Sequence, residues 1–285
     1  MAMGTHVQQP SGITIRDLTT YDEFLAARAI QQICWQLAPG EGLYPPTLAT
    51  AARSGGTVLG AFDGDRMVGF LFGFLGLHEG RHLKLCSQTM GVLPDYRNRG
   101  VAAALKWAQR ARMLALGIDL ITWTYDPLEA ANAWLNLHTL GAVVRTYHRN
   151  LYGESLGVLN RGLPSDRFLV EWWIRAPHVV ARAEGAAVPT EALRGPVLNP
   201  CAGEGSHRRI TELHLDQPPP VLHAEIPSDF QALKRADMAL AAAWRADMRQ
   251  LFETCFGRGY KAVDVSKLTQ GGQVLVYYAL RAANE

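Results

Sequence analysis

Apolar and polar positions lay out a run of short elements along the first half of the chain. Ile13-Thr14-Ile15-Arg16 alternates and predicts a short strand. Over residues 20–35 the apolar positions Phe24, Leu25, Ala27, Ile30, Ile33 and Cys34 follow helical spacing. A loop with Pro39-Gly40 and Pro45-Pro46 leads to a second helix over 47–53. Apolar runs at 57–62 and 67–77 flank Asp63-Gly64-Asp65, which predicts a hairpin. Residues 82–92 predict a further strand that stops before Pro94, a residue with no N–H to give a ladder. The stretch Arg97-Asn98-Arg99-Gly100-Val101-Ala102 opens a helix expected to run to about Leu116, with Gly117 as its left-handed cap. Residues 119–125 are β-branched and aromatic and predict a strand ended by Pro127. Residues 128–140 predict a helix stopped at Gly141, and 142–152 a hairpin around His148-Arg149-Asn150.

From Gly153 the texture changes. Gly157, Gly162 and Pro164 precede a strand over 167–175 that carries Trp172-Trp173, whose side chains point to opposite faces. Residues 181–206 are weakly patterned and predict a loop region. Pro218-Pro219-Pro220 predicts a stiff connector, and 221–226 a strand. Ser228-x-x-Gln231 reads as a capping box that opens one long helix. Phe230, Leu233, Leu240, Trp244, Met248, Leu251 and Phe252 form its core stripe, and Gly257 and Gly259 its end. Residues 260–265 and 273–280 predict a final strand pair. This β-α-β-β tail invites comparison with the opening of the chain as a degenerate echo.

Composition narrows the class. The 285 residues suit two modest domains, or one with a large extension. Hydrophobic residues at 48% and charged residues at 19% are globular proportions. The 28 basic and 26 acidic residues give a net charge of +2, which argues against broad coating of nucleic acid. Any anion site must therefore be local. Cys34, Cys86, Cys201 and Cys255 form no C-x-x-C pair and have no histidine at a zinc-ligand offset, so no metal is expected. Residues 1–12 lack the apolar core of a signal peptide, and no apolar run reaches the ~18 residues of a membrane span. A cytoplasmic protein with free thiols is the expectation.

The local anion site has a candidate. A strand ending at Val92 turns through Arg97-Asn98-Arg99-Gly100 into a helix. A helix N-terminus carries unpaired N–H groups and partial positive charge, and phosphate binds there. Gly100 and Ala102 are small where the chain must approach a ligand closely, and Arg97 and Arg99 add charge. Residues 95–112 hold five bases (Arg97, Arg99, Lys106, Arg110, Arg112) against one acid, Asp95.

The full stretch Gly91-Val92-Leu93-Pro94-Asp95-Tyr96-Arg97-Asn98-Arg99-Gly100-Val101-Ala102-Ala103-Ala104-Leu105 resembles the acetyl-CoA-binding motif of the GNAT acetyltransferase superfamily, V-x-P-x-[YF]-[QR]-x-x-G-x-[GA]. The order of elements agrees, and the resemblance covers residues 12–152. It implies an α/β fold with a mixed central sheet, followed by a C-terminal α/β extension. We place the domains at 1–155 and 156–285. It implies acetyl-CoA or another acyl-CoA as co-substrate. Backbone groups of Met90, Gly91 and Val92 would pair with the pantetheine arm. Amides of Asn98, Arg99, Gly100, Val101, Ala102 and Ala103 would cradle the pyrophosphate, with the Arg97 and Arg99 side chains alongside. The strand at 119–125 would splay from the one ending at Val92. Asn132 resembles an asparagine that family members point at the CoA arm.

The family often carries N-x-x-A-x-x-x-Y-x-x-x-G-F before its sixth strand. Counted back from Gly141, Leu137 stands at the tyrosine position and Ala130 at the asparagine position, so Asn132 is two residues out of register. The acid that would protonate the leaving thiolate is therefore unassigned. Asp126, at the end of its strand, is a candidate base, with helix capping as the alternative. His138 has a suitable ordinary pKa, with a solvated helix surface as the alternative. Tyr147 and Tyr152 are candidate acids, with hairpin packing as the alternative. The expected activity is direct acyl transfer from CoA to a small amine or amino acid in a ternary complex. An acyl-CoA-binding regulatory or scaffold protein is the alternative. The partner expected is a small amine acceptor, with a homodimer left open, and neither nucleic acid nor membrane.

Overall fold

In the computed structural model, which describes residues 10–153, 162–186, 195–216 and 219–282, Asp63-Gly64-Asp65 makes the expected hairpin. Gly64 adopts φ +55°, and strand β2 (Thr57–Asp63) returns as β3 (Arg66–His78). Strand β1 (Ile13–Asp17) pairs antiparallel with β2, and β3 pairs with β4 (His82–Val92) through a tip at which Glu79 takes φ +50°. Helices α1 (Tyr21–Trp35), α2 (Pro45–Arg53) and α3 (Val101–Ala115) complete this region, with Pro45 at the first turn of α2, where its missing N–H costs nothing. Strand β5 (Leu120–Tyr125) joins β4 in parallel, so the sheet is mixed, in the order β1-β2-β3-β4-β5.

The start of α1 carries a capping box that the apolar spacing did not reveal. Thr20 Oγ1 accepts from the Glu23 N–H at 3.3 Å, and Glu23 Oε2 accepts from the Thr20 N–H at 3.0 Å. Burial pushes the Glu23 carboxyl up, but the Thr19 and Thr20 amides and Arg16 outweigh it and hold the pKa at about 2. Its contribution to stability is thus complete above the ordinary carboxylate range and fades as pH falls toward 2. Thr20→Ala is expected to lower unfolding free energy by about 1 kcal/mol. A urea titration with an unchanged midpoint would refute this.

The chain divides into compact units at other places than 155/156. One comprises Met1–Trp123 with Trp172–Ala186, and the other Thr124–Glu171 with Ala187–Glu285. The first buries Phe24, Leu48, Leu59, Phe70, Leu71 and Phe72 between its helices and sheet. Trp172 is fully buried there, its ring 5.3 Å from Trp107 and 5.9 Å from Trp123. Its neighbour Trp173 packs on His78 and His82 instead. The unit ends in helix α4 (Pro177–Ala183), whose last three residues run into the stretch expected to be loop.

The second unit differs from expectation in several ways. Strand β6 (Val143–His148) does not fold back on residues 149–152; it pairs antiparallel with β7 (Arg167–Trp173) across a longer connection. The helix after Pro127 is one α turn, Ala130–Ala133, that widens into a π turn, Trp134–Thr139. The N-cap of the helix that Ser228 is expected to open is Asp229, not Ser228. Asp229 caps the helix by accepting from the Ala232 N–H at 2.8 Å. That helix, α5 (Phe230–Ala236), breaks at Asp237, whose side chain caps α6 (Met238–Gly257). The stripe still works, because Phe230, Leu233, Trp244, Met248, Leu251 and Phe252 are buried and Leu240 is half-buried. Strand β8 (Cys201–Ala202) pairs with β9 (Arg209–Ile210) as a small separate ladder.

Strands β10 (Val221–Ile226), β11 (Tyr260–Gln270) and β12 (Gln273–Ala282) complete the order β7-β6-β11-β12-β10. The echo fails here. The tail's first strand pairs with its last, β10 with β12, whereas β1 pairs with the first strand of its hairpin, β2. The expected turn residue Gly157 and the start of the proline connector, Pro218, lie outside the described residues, as do residues 1–9.

Candidate functional site

Strands β4 and β5 pair at Leu85↔Ile121 and Cys86↔Thr122, and among the described residues their pairing stops there. At the same level β4 carries an extra residue. Gly73 faces Ser87 and Phe72 faces Thr89, which leaves Gln88 as a bulge. A bulge bends its strand and raises its twist. Among the described residues the stretch of β4 from Ser87 to Val92 has no pairing with β5.

The same strand delivers the turn. Pro94–Tyr96 makes a short 3-10 turn and Arg97 is extended. Asn98 (φ +58°) and Gly100 (φ +81°) then adopt left-handed conformations on either side of Arg99. Such alternation turns successive N–H groups into one concavity suited to an anion. The first helical bond runs from the Ala104 N–H to the Gly100 carbonyl at 3.0 Å. The Val101, Ala102 and Ala103 amides therefore have no helical partner and lie at the positive end of α3. The backbone over residues 98–103 is of a kind that suits a diphosphate.

The side chains divide more sharply than the count of bases implied. Arg99 lies over the Tyr96 ring at 5.3 Å, and Tyr96 is fixed by a 2.7 Å bond from its hydroxyl to Asp63. Arg97 Nε donates to the Val92 carbonyl at 3.3 Å. That carbonyl also accepts from the Cys34 thiol at 3.3 Å, so one of the three expected pantetheine partners is already engaged. Lys106 and Arg110 are buried, and Arg112 forks onto Asp17 at 2.6 and 2.9 Å. Only Arg97 and Arg99 of the five bases remain beside the turn. Met90 is half-buried against the core. Gly91 is small for a packing reason: a Cβ there would meet Phe70 at 2.9 Å and Trp35 at 3.1 Å.

Asn132, Asp126, His138 and Tyr147 belong to the second unit. Asn132 is exposed on its short helix. Asp126 Oδ1 accepts from the Leu128 N–H at 2.9 Å in a turn ahead of the helix, whose N-cap is Glu129, so Asp126 does not cap it, while Oδ2 pairs with the buried Arg245 at 2.5 Å. His138 Nδ1 lies 3.0 Å from Asp264, and its ring stacks on Trp134 at 3.9 Å. Tyr147 donates to Asp166 at 2.6 Å, and burial followed by that bond pushes its hydroxyl well above the ordinary tyrosine range. Tyr152 shares a 2.8 Å bond with Thr124. Leu137, at the family's tyrosine position, is fully buried. Sequence reasoning missed the Gln88 bulge and the left-handed Asn98; an asparagine two residues before a glycine is the one signal it offered for the latter.

A mixed sheet whose parallel pair parts beside a glycine-led helix start places this region in the α/β class. The family model described as acetyltransferase (GNAT) family matches residues 24–139, so that segment is a GNAT acetyltransferase domain. Among curated proteins no match is found. Three solved structures are similar. The ribosomal-protein-S18-alanine N-acetyltransferase from Escherichia coli is 21% identical, covers 56% of this chain and 92% of its own, and has a TM-score of 0.44. The NatC complex bound to Gag peptide and CoA gives 16%, 56%, 96% and 0.45. Arabidopsis thaliana Naa50 in complex with a bisubstrate analogue gives 17%, 56%, 97% and 0.43. Among the described residues no helix is long and apolar enough to cross a membrane, and no group of ligating side chains is placed to hold a metal ion.

Proposed function

We propose that the chain transfers an acetyl or other acyl group from CoA to a small amine or amino acid, by direct attack in a ternary complex. The observation that carries this is the cradle at 98–103: two left-handed residues and three unpaired helix amides beside a strand edge that, among the described residues, has no pairing with β5. In this proposal the Asn98–Ala103 amides hold the diphosphate with Arg97 and Arg99 alongside. That edge at Met90 and Gly91 receives the pantetheine arm as an added strand, and Asn132 is a further contact. The oxyanion is served by strand N–H groups. Asp126, His138 and Tyr147 stay candidates for proton transfer, each with a structural duty as well.

Calorimetric titration of the full chain with acetyl-CoA tests the proposal, followed by an amine panel scored by released thiol. Micromolar binding and thiol release with any amine are expected. Absence of binding by folded protein, to acetyl-CoA or longer acyl-CoAs, would overturn it. The burial of Leu137 where the family places a proton donor favours a second reading, a binding-only regulator. Thiol release above the blank excludes that reading.

A further inference from the structure

Lys106 lies on the second turn of α3 and is 2% exposed. Its Nζ donates to Ser87 Oγ at 2.8 Å and sits 3.6 Å from the centre of the Trp123 ring. Ser87 and Trp123 are the residues that follow the last β4–β5 pair, Cys86↔Thr122. The amine therefore bridges the two strands at the point where they part. Ser87, itself 5% exposed, faces Gly73 beside the Gln88 bulge.

The surroundings of this amine are unusual for a lysine. From α3 the charged group one turn on is Arg110, whose Nε donates to the Ile174 carbonyl at 2.9 Å. From β4 it meets the Ser87 hydroxyl, and the neighbouring Cys86 thiol points to the other face of the sheet. From β5 it meets Trp123, with Trp172 behind that ring. Among the described residues no carboxylate acts on Lys106, and burial alone lowers its pKa far below the ordinary value. The Trp123 ring face favours the ammonium, but with one hydrogen-bond acceptor and no counter-charge burial still outweighs it, and the neutral amine has a lone pair to offer. A purely structural position would be filled as well by methionine.

We propose that Lys106 and Ser87 form a proton relay at the fork of β4 and β5, serving the acyl transfer. The inference rests on the function proposed above. The attacking nitrogen bonds to the acyl carbon and the carbon–sulfur bond breaks. The proton lost by that nitrogen passes to Ser87 Oγ as the serine's own proton moves to the Lys106 amine. The resulting ammonium returns a proton by the same path to the CoA thiolate, which leaves as free thiol. Nothing is oxidised or reduced, and both residues end as they began. One amine that first takes and then returns the proton makes a separate tyrosine unnecessary, in keeping with the hydrocarbon at position 137. Lys106 acts through Ser87 and is a positioning and relay residue.

The test uses the full-length wild type, Lys106→Met, Lys106→Arg and Ser87→Ala. Acetyl-CoA binding is measured by calorimetry. Thiol release from acetyl-CoA is followed from pH 6 to about 10, with the best amine of the panel or, failing one, with water as acceptor. The wild-type rate should rise to a plateau with an inflection well below the ordinary lysine value. Lys106→Met should keep acetyl-CoA affinity within about twofold, lose about a hundredfold in rate and lose the inflection. Lys106→Arg should not rescue it, because guanidinium does not titrate in this range. Ser87→Ala removes a single oxygen and covers the case in which the lysine variants fail to fold; it too should flatten the profile. A variant set that binds acetyl-CoA and keeps the wild-type rate and inflection overturns the relay alone. A wild type that binds but releases no thiol at any pH also overturns it. A folded wild type that does not bind acetyl-CoA overturns the function itself.

Discussion

Gly100→Asp is expected to lose acetyl-CoA affinity by about a hundredfold, roughly 2.7 kcal/mol, while the protein stays folded. Gly100 occupies the N-cap of α3 with φ +81°. An aspartate tolerates that conformation at a cost of about 1 kcal/mol. Its Cβ would stand 3.6 Å from the Pro10 ring, an ordinary contact. An N-cap carboxylate also accepts from the first-turn amides of a helix, which offsets the strain. That is why the effect on binding should be large. The introduced carboxylate competes for the Val101–Ala103 amides that a diphosphate would use, and it repels the diphosphate by charge. Gly100→Ala separates the causes, since it adds the same strain and bulk without charge. It should bind within about tenfold of wild type. Calorimetry on both variants, with thermal melts beside it, decides the matter. An aspartate variant that binds like wild type would move the cofactor away from this helix start. Equal losses in both variants would make backbone strain, and not charge, the determinant.

What was legible in the sequence was local. Arg97-x-x-Gly100-x-Ala102 marks the turn into α3 because backbone need and residue type coincide there: a left-handed glycine followed by small first-turn residues. Asp63-Gly64 fixes its hairpin, and Gly117 ends α3, for the same reason. What was not legible depends on partners far along the chain. The alternation in 143–148 says strand but cannot say that its neighbour is 167–173 rather than the next residues. The tail has the element order of the opening segment, yet its pairing runs β10 with β12, a choice made by packing. Asp237 breaks an apolar stripe that continues in phase across it, so periodicity read one helix where there are two. Counting bases along 95–112 treated Lys106, Arg110 and Arg112 as one patch. Burial of the first two beneath the sheet and the Arg112 fork onto Asp17 are tertiary facts.

The largest loss of stability is expected from Asp166→Ala in the second unit. The Asp166 side chain is fully buried. It accepts from Arg249 Nε at 2.8 Å and Nη2 at 3.0 Å, from the Tyr147 hydroxyl at 2.6 Å and from the Asn150 N–H at 2.9 Å. Truncation removes one acceptor group and leaves four donor groups on three residues without their partner. Breaking a buried pair from one side costs about 3–5 kcal/mol. Arg249 keeps some access to water, with its side chain 26% exposed, which places the expectation near the lower end, about 3 kcal/mol. A denaturant titration with a loss below about 1 kcal/mol would show that the donors find water instead. The ionisation of Asp166 makes the same argument in another variable. Burial alone would raise its pKa; the Arg249 fork, the Tyr147 hydroxyl and the Asn150 amide outweigh burial and hold it below the ordinary value of 3.8. The stabilisation is therefore complete above the unfolded pKa and is lost as pH falls through the lower folded value. The difference in stability between wild type and Asp166→Ala should accordingly be constant from neutral pH down to about pH 5 and shrink below pH 4. A gap that widens on acidification would mean that Asp166 is protonated in the folded protein, and its partners would then have to be assigned anew.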